Sequence, residues 1–373
     1  MTATQDPADR FVSPDGVYLL SHSIGLPPID ARSHAVSDHF EPWETNTTDA
    51  WPAWLGTIER FRIALATLLN STSSSFCPQP NVSSGLTKML GALPISRAGR
   101  RPAVLMTEDA FPSLGYVCQK LGLDVRYIAR AEDTLDPRVW ASHLDGVDVV
   151  LITHVHSNTG QLIPVAEVAA LADERAITSI VDVAQSIGVI PIDLEAWNAD
   201  VVIGSCVKWL CGGPGAGWLW AHPALVDRCE PVDVGWFSHE DPFEFDIHQF
   251  RYAPDALRFW GGTPSVVAPA IAAHSIELIH EIGVEHIRRH NLELTDRLIE
   301  GLEGLVVSPL AHHQRSGTII ADPESATDAV GVAFRNAGIA VDHRPSGFRL
   351  SPHIYTSADD IDATIACVRS VAS

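Results

Sequence analysis

The stretch VVIGSCVKWLCGGPGAGWLW, residues 201–220, sets a single lysine between two apolar runs and beside a glycine-proline-glycine turn. Residues 199–205 and 217–223 read as strands, since both are short, apolar and rich in β-branched or aromatic side chains. Lys208 stands between Val207 and Trp209. An unpaired ammonium is costly to bury, so a lysine there must be paired, desolvated or covalently occupied. The GGPGAG segment lacks the Lys-Ser/Thr ending of a phosphate loop. It reads as the turn that lets the lysine strand reverse closely on itself.

Working outward, residues 102–108, 147–155 and 178–185 read as further strands, and residues 112–122 and 164–176 as helices between them. Continuous apolar runs, rather than alternation, mark strands covered on both faces. Strands of that kind joined by helices predict an α/β fold with a largely parallel sheet. After residue 262 two long helical patterns follow, then a shorter α/β mixture to the C-terminus. The expected division is an N-terminal segment (1–45), a large domain (46–262) and a smaller C-terminal domain (263–373).

The chain has 373 residues, 46% hydrophobic and 19% charged, which is globular composition. Its net charge of −21 argues against a nucleic-acid partner, which calls for a basic surface. The first sixteen residues are polar, and no apolar run approaches 18 residues, so neither a signal peptide nor a membrane span is expected. The six cysteines form no CxxC pair. A soluble, reduced, cytoplasmic protein is the expectation. His154/His156 and His312/His313 come without an HExxH or Cys-His set, so no metal is expected. Cys206 and Cys211 flank Lys208 and read as small core residues.

Ligands of open α/β sheets bind at strand ends. Asp182 lies in the otherwise apolar run SIVDVAQ, 26 residues before Lys208. Ser83 and Ser84 open a helical pattern whose free N–H groups favour a phosphate. Phe111 follows another strand. A desolvated lysine, a buried carboxylate and hydroxyls at a helix start are the groups that pyridoxal 5'-phosphate asks for.

At this point the chain resembles the class V branch of pyridoxal-phosphate enzymes, and within it the kynureninase family. The segment VDVAQSIGVIPIDLEAWNADVVIGSCVKWLCGGPGAGWLW is similar to that family's Asp-x-x-(His/Gln) strand and lysine loop. DAFPSLGYV, VGWFSHEDPFEF, YLLSHSIGLPP and RPSGFRLSPHIYTS resemble further family segments. The resemblance implies a fold-type I architecture with a mostly parallel seven-stranded sheet, and a homodimer acting on an L-amino acid. Lys208 would bond the cofactor, Asp182 would face its ring nitrogen, Gln185 its phenolic oxygen, and Phe111 would stack on the ring. Ser83, Ser84 and Ser205 would hold the phosphate, with Thr263 reaching in from a second subunit. Arg349 would bind the substrate carboxylate, and Trp236, His239, Ser23 and Asn158 would line the substrate side. The implied reaction is hydrolytic Cβ–Cγ cleavage or a close variant. Elimination, desulfuration, transamination and decarboxylating deamination share the same cofactor. Val207 stands where the family commonly carries Tyr or His, and Leu114 where an aspartate is frequent.

Overall fold

The computed structural model describes residues 6–45, 49–95 and 99–371. Twelve strands occur among the described residues: β1 (Val17–Tyr18), β2 (Phe76–Gln79), β3 (Ala103–Thr107), β4 (Asp124–Ile128), β5 (Val149–Thr153), β6 (Thr178–Asp182), β7 (Val201–Ser205), β8 (Gly217–Ala221), β9 (Ile319–Ala321), β10 (Ile339–Ala340), β11 (Asp342–Arg344) and β12 (Gly347–Leu350). Seven of them form one sheet in the order β2-β8-β7-β6-β5-β3-β4. Strands β4, β3, β5, β6 and β7 run parallel, while β8 pairs antiparallel with both β7 and β2. The mostly parallel seven-stranded α/β sheet expected from the sequence is present.

Two strands escaped the sequence reading. β2 has only four residues and contains Pro78, and β4 lies at the sheet edge with its first four residues exposed or half-buried. Neither shows the apolar run of a strand covered on both faces.

One face of the sheet meets the helices Trp51–Leu68 and Val267–Ile282, with Phe61, Leu65, Ala272 and Ile276 in the shared core. The other face meets the helices Val82–Ala92 and Pro112–Lys120 through Leu86, Met89 and Leu114. A third cluster joins Leu19 to Leu294, Leu298, Phe334, Phe348 and Ile361. The helix Val267–Ile282 therefore buries its apolar side against the main sheet, although it follows residue 262 in sequence. The N-terminal segment joins the C-terminal cluster, because β1 pairs parallel with β10. Among the described residues no helix is long and apolar enough to cross a membrane.

This topology gathers Thr153, Asp182 and Ser205 at the C-terminal ends of three adjacent parallel strands. Thr153 is the register partner of Asp182. Phe111 caps the helix that follows β3, and Asn81 caps the helix that follows β2.

Candidate active site

A cavity of about 250 Å³ opens at these strand ends, between Asp182, Thr153, Ser205, Phe111, Ser83 and Lys208. Lys208 lies in the bend between β7 and β8, with its Nζ 5.7 Å from the centre of the Phe111 ring. Burial pushes its ammonium pKa down, and Arg349 adds to this; only Asp182 opposes it. Asp182 is buried, and its Oδ1 accepts from the Ala184 N–H at 2.9 Å. Burial pushes this carboxyl up, against the pull of that bond and of Lys208. Each group is thus driven toward its neutral form, which is the condition for a lysine to serve as a free amine.

The loop carrying Lys208 is held by its carbonyls, because buried backbone oxygens need donors. The Gly25 N–H donates to Val207 O at 2.9 Å, His353 Nε2 to Trp209 O at 3.0 Å, and Ser275 Oγ to Leu210 O. These donors come from the N-terminal segment, the C-terminal part and the helix Val267–Ile282. A Cβ at position 25 would collide with the Lys208 carbonyl oxygen, so only glycine allows this approach. Trp209 is fully buried and stacks on His353. Its truncation to alanine is expected to cost about 3–5 kcal/mol, typical of a buried aromatic.

The start of the helix Val82–Ala92 forms the polar corner of the cavity. Asn81 was not anticipated, and it organises this corner: its Oδ1 accepts from Ser83 Oγ at 2.8 Å and from the Ser84 N–H at 2.9 Å. An N-cap asparagine is recognisable in sequence only once the helix start is fixed. Ser83 faces the Lys208 cavity, whereas Ser84 lines an adjoining one with Lys88 and Thr263. Phe111 is 49% exposed, an unusual state for a phenylalanine whose ring sits beside a half-buried lysine. Thr153 is 4% exposed and its Oγ1 has no hydrogen-bond partner, although it lines the cavity. A buried orphan hydroxyl calls for a ligand atom.

Arg349 is 5% exposed on β12, and its Nη1 donates to Ser157 O at 3.3 Å, next to the cavity. Its Nε and Nη2 bond both oxygens of Asp342, the residue directly across the strand pair. Gln185 lines the cavity, and its Nε2 donates to His22 O at 3.2 Å. Ser23 is exposed, and the neighbouring His22 makes the inward contacts instead. Asn158 lies outside the cavity lining and donates through Nδ2 to Asp109 at 2.7 Å.

Besides Ser23, Ser84 and Asn158, Trp236, His239 and Thr263 also lie outside the lining of the Lys208 cavity within one chain. Trp236 and His239 line a separate groove of about 380 Å³ with Phe245, Ile247 and Phe250. His239 is tied by both ring nitrogens to the backbone of its own loop, Nδ1 accepting from the Asp241 N–H at 3.0 Å and Nε2 donating to Gln249 O at 3.1 Å. Thr263 lines the adjoining pocket beside Ser84.

The class V aminotransferase family model matches residues 111–363. Curated kynureninases are similar along the chain. That of Deinococcus radiodurans is 30% identical over 96% of this chain and 90% of its own, and that of Pseudomonas fluorescens 30% over 90% and 84%. The chain is a kynureninase-like member of the class V aminotransferase family. An uncharacterised aminotransferase, YcbU of Bacillus subtilis, is 26% identical over 88% of the chain. Among solved structures, the cysteine desulfurase of Thermococcus onnurineus NA1 superposes with a TM-score of 0.86 at 20% identity, covering 100% of this chain and 99% of its own. The cystine C-S lyase C-DES, complexed with cysteine persulfide, gives 0.85 at 21%, covering 96% and 98%.

The fold is that of the fold-type I pyridoxal-phosphate enzymes, and the residues of this class V cavity fit that cofactor. The orphan Thr153 hydroxyl, the buried Asp182 carboxylate, the Lys208 amine, the bare Phe111 ring and the Asn81–Ser83 corner are the donors, acceptor and stacking face it requires. Val207 supplies no side-chain donor, and Leu114 is a fully buried apolar wall. Away from this cavity, Asp30, His34 and His274 cluster. The two imidazoles stack face to face at 3.8 Å with planes 20° apart, so their in-plane lone pairs run side by side rather than converging on one ion.

Proposed function

We propose that this class V protein is a pyridoxal-phosphate-dependent hydrolase of an L-amino acid with a γ-carbonyl group. Water adds to that carbonyl and the Cβ–Cγ bond breaks, giving alanine and a carboxylic acid. The observation that carries the reading is the opposition of Lys208 and Asp182 across one cavity beside Arg349, in a chain with kynureninase relatives along its length.

Bound pyridoxal phosphate supplies an electron sink for charge developing at the substrate α-carbon. Lys208, its pKa lowered by burial, is the amine that takes the α-proton. Asp182 offers the buried carboxylate that a protonated ring nitrogen pairs with. Phe111 covers the ring, Asn81, Ser83 and Ser205 form the anion corner, and Arg349 meets the substrate carboxylate.

A second reading, sulfur chemistry, is favoured by the likeness to desulfurases. Handing sulfur to a protein thiolate needs an accessible cysteine at the cavity. None of the six cysteines lines it; five are buried, and burial raises their thiols, Cys77 up to about 12 and Cys118 up to about 11. This supports hydrolysis over thiol-acceptor desulfuration.

The chain is further proposed to work in the cytoplasm as a homodimer. Exposed Trp43, Phe245 and Ile247, and the placement of Thr263 outside its own subunit's cavity, support the second copy. Incubation of the purified, cofactor-loaded protein with L-kynurenine, followed by anthranilate fluorescence, tests the reaction. Anthranilate is expected. Pyruvate from cysteine conjugates without anthranilate would replace hydrolysis by β-elimination.

A further inference from the structure

The N-terminal segment touches three separate parts of the site. Gly25 bonds the lysine loop, the His22 carbonyl accepts from Gln185, and the His22 ring reaches Asp342. His22 is 1% exposed. A carboxylate only accepts, so His22 Nε2 must donate to Asp342 Oδ1, at 2.9 Å. Burial pushes the His22 pKa down despite this bond. In the neutral ring Nδ1 therefore accepts, and Ser351 Oγ donates to it at 2.7 Å. Ser351 in turn accepts from Thr318 Oγ1 at 2.7 Å. Every proton in this chain has one direction, ending on Asp342.

Asp342 uses that fixed carboxylate on Arg349. Burial alone would raise its carboxyl, but the bonds from Arg349 and His22 pull it well below the usual carboxylate range. It stays ionised and grips the Nε/Nη2 edge of the guanidinium. A guanidinium has a second edge, Nη1/Nη2, suited to a bidentate carboxylate. Here Nη1 points to Ser157 O, and Ser157 lines the Lys208 cavity. A competing role for Asp342, occupying Arg349 until substrate displaces it, would require breaking this side-on pair and leaving a half-buried carboxylate held by His22 alone.

We propose that His22 and Asp342 are positioning residues, which hold Arg349 by its side edge so that its Nη1/Nη2 edge, on the Ser157 side, receives the carboxylate of the amino-acid substrate. This rests on the reading of the cavity as a pyridoxal-phosphate site for an amino acid. It adds two residues that touch neither cofactor nor substrate.

The test uses the cofactor-loaded protein and L-alanine as the probe, with binding read from the cofactor's visible absorption and cofactor content measured separately. Asp342→Asn should weaken L-alanine about 10- to 100-fold, the scale of loss when a binding group is misplaced by an ångström. Cofactor content should stay unchanged, and KM should rise more than kcat falls. His22→Gln should weaken L-alanine less, and Asp342→Glu should recover part of the Asp342→Asn loss. Tighter L-alanine binding by Asp342→Asn would show that Asp342 competes with substrate, and unchanged binding would show that it is structural only; either overturns the proposal. Arg349→Lys separates the layers. If it leaves L-alanine binding intact, the assignment of Arg349 fails; if it weakens binding while Asp342→Asn does not, the positioning inference alone fails. Should Asp342→Asn not fold, the His22→Gln and Asp342→Glu variants give the same comparison.

Discussion

The family resemblance places Lys208 and the pair Trp236 and His239 at one site, yet the chain builds the Lys208 cavity and the groove that holds that pair differently. Thr153 and Asp182 sit buried at strand ends, with the half-buried Ser205 beside them, and their neighbours are fixed by backbone register. The groove is a loop whose rings lean on one another: Trp236 against Phe237 at 4.2 Å and against Phe243 at 5.6 Å, with Ile247 91% exposed. Register places the strand-end groups of the Lys208 cavity within a single chain. Exposed aromatic loops gain their geometry from whatever covers them.

The strongest way to break this contrast is Lys208→Ala. Turnover is expected to fall by about three orders of magnitude or more, the upper part of the range for removing a proton-transfer group. The variant should also release its cofactor on dialysis; retention of borohydride-reducible cofactor would sink the assignment. Asp182→Asn should cost roughly 10²-fold in kcat at unchanged fold, checked by circular dichroism. A wild-type rate would mean the carboxylate serves only the Ala184 turn.

Trp236→Ala sharpens the other half of the comparison. If a second copy covers the groove, activity should fall by roughly 10-fold or less at high protein concentration and further on dilution, with sedimentation shifting toward monomer. An effect independent of concentration would make the groove a feature of the single chain.

The smallest expected effect is on stability with pH. His154 and His353 are buried near the lysine loop, and burial lowers them to about 3 and about 4 from 6.5. Below pH 6.5 the unfolded chain takes up protons that the folded chain refuses, so stability falls as pH drops toward 4. The urea midpoint should therefore be lower at pH 5 than at pH 7.5. His353→Gln should flatten the difference, and a slope unchanged by it would remove His353 from the account.

Much of this was legible because it was local. Short, mostly apolar runs marked β3, β5, β6, β7 and β8, Asp182 stood out at the end of one of them, and Lys208 in the turn between β7 and β8. β2 and β4 were illegible because short or edge strands do not need such runs. Asn81 was missed because a cap is defined by the helix it starts. The resemblance puts Ser23 on the substrate side, and the structure leaves it exposed while its neighbour His22 turns inward, because which of two neighbours points inward depends on a surface 320 residues away.

By itself, then, the sequence determined the parallel sheet, the lysine turn and the chemistry available to a buried amine facing a buried carboxylate. These follow from patterns of neighbouring residues, whose hydrophobicity and spacing are fixed once the chain is written. Only the tertiary structure decided that Asp342 holds Arg349, that three distant donors fix the lysine loop, and that Trp236 lies apart from both. Those relations depend on how segments pair and pack, which no local period carries: even Asp342 and Arg349, seven residues apart, meet only because β11 and β12 lie in antiparallel register.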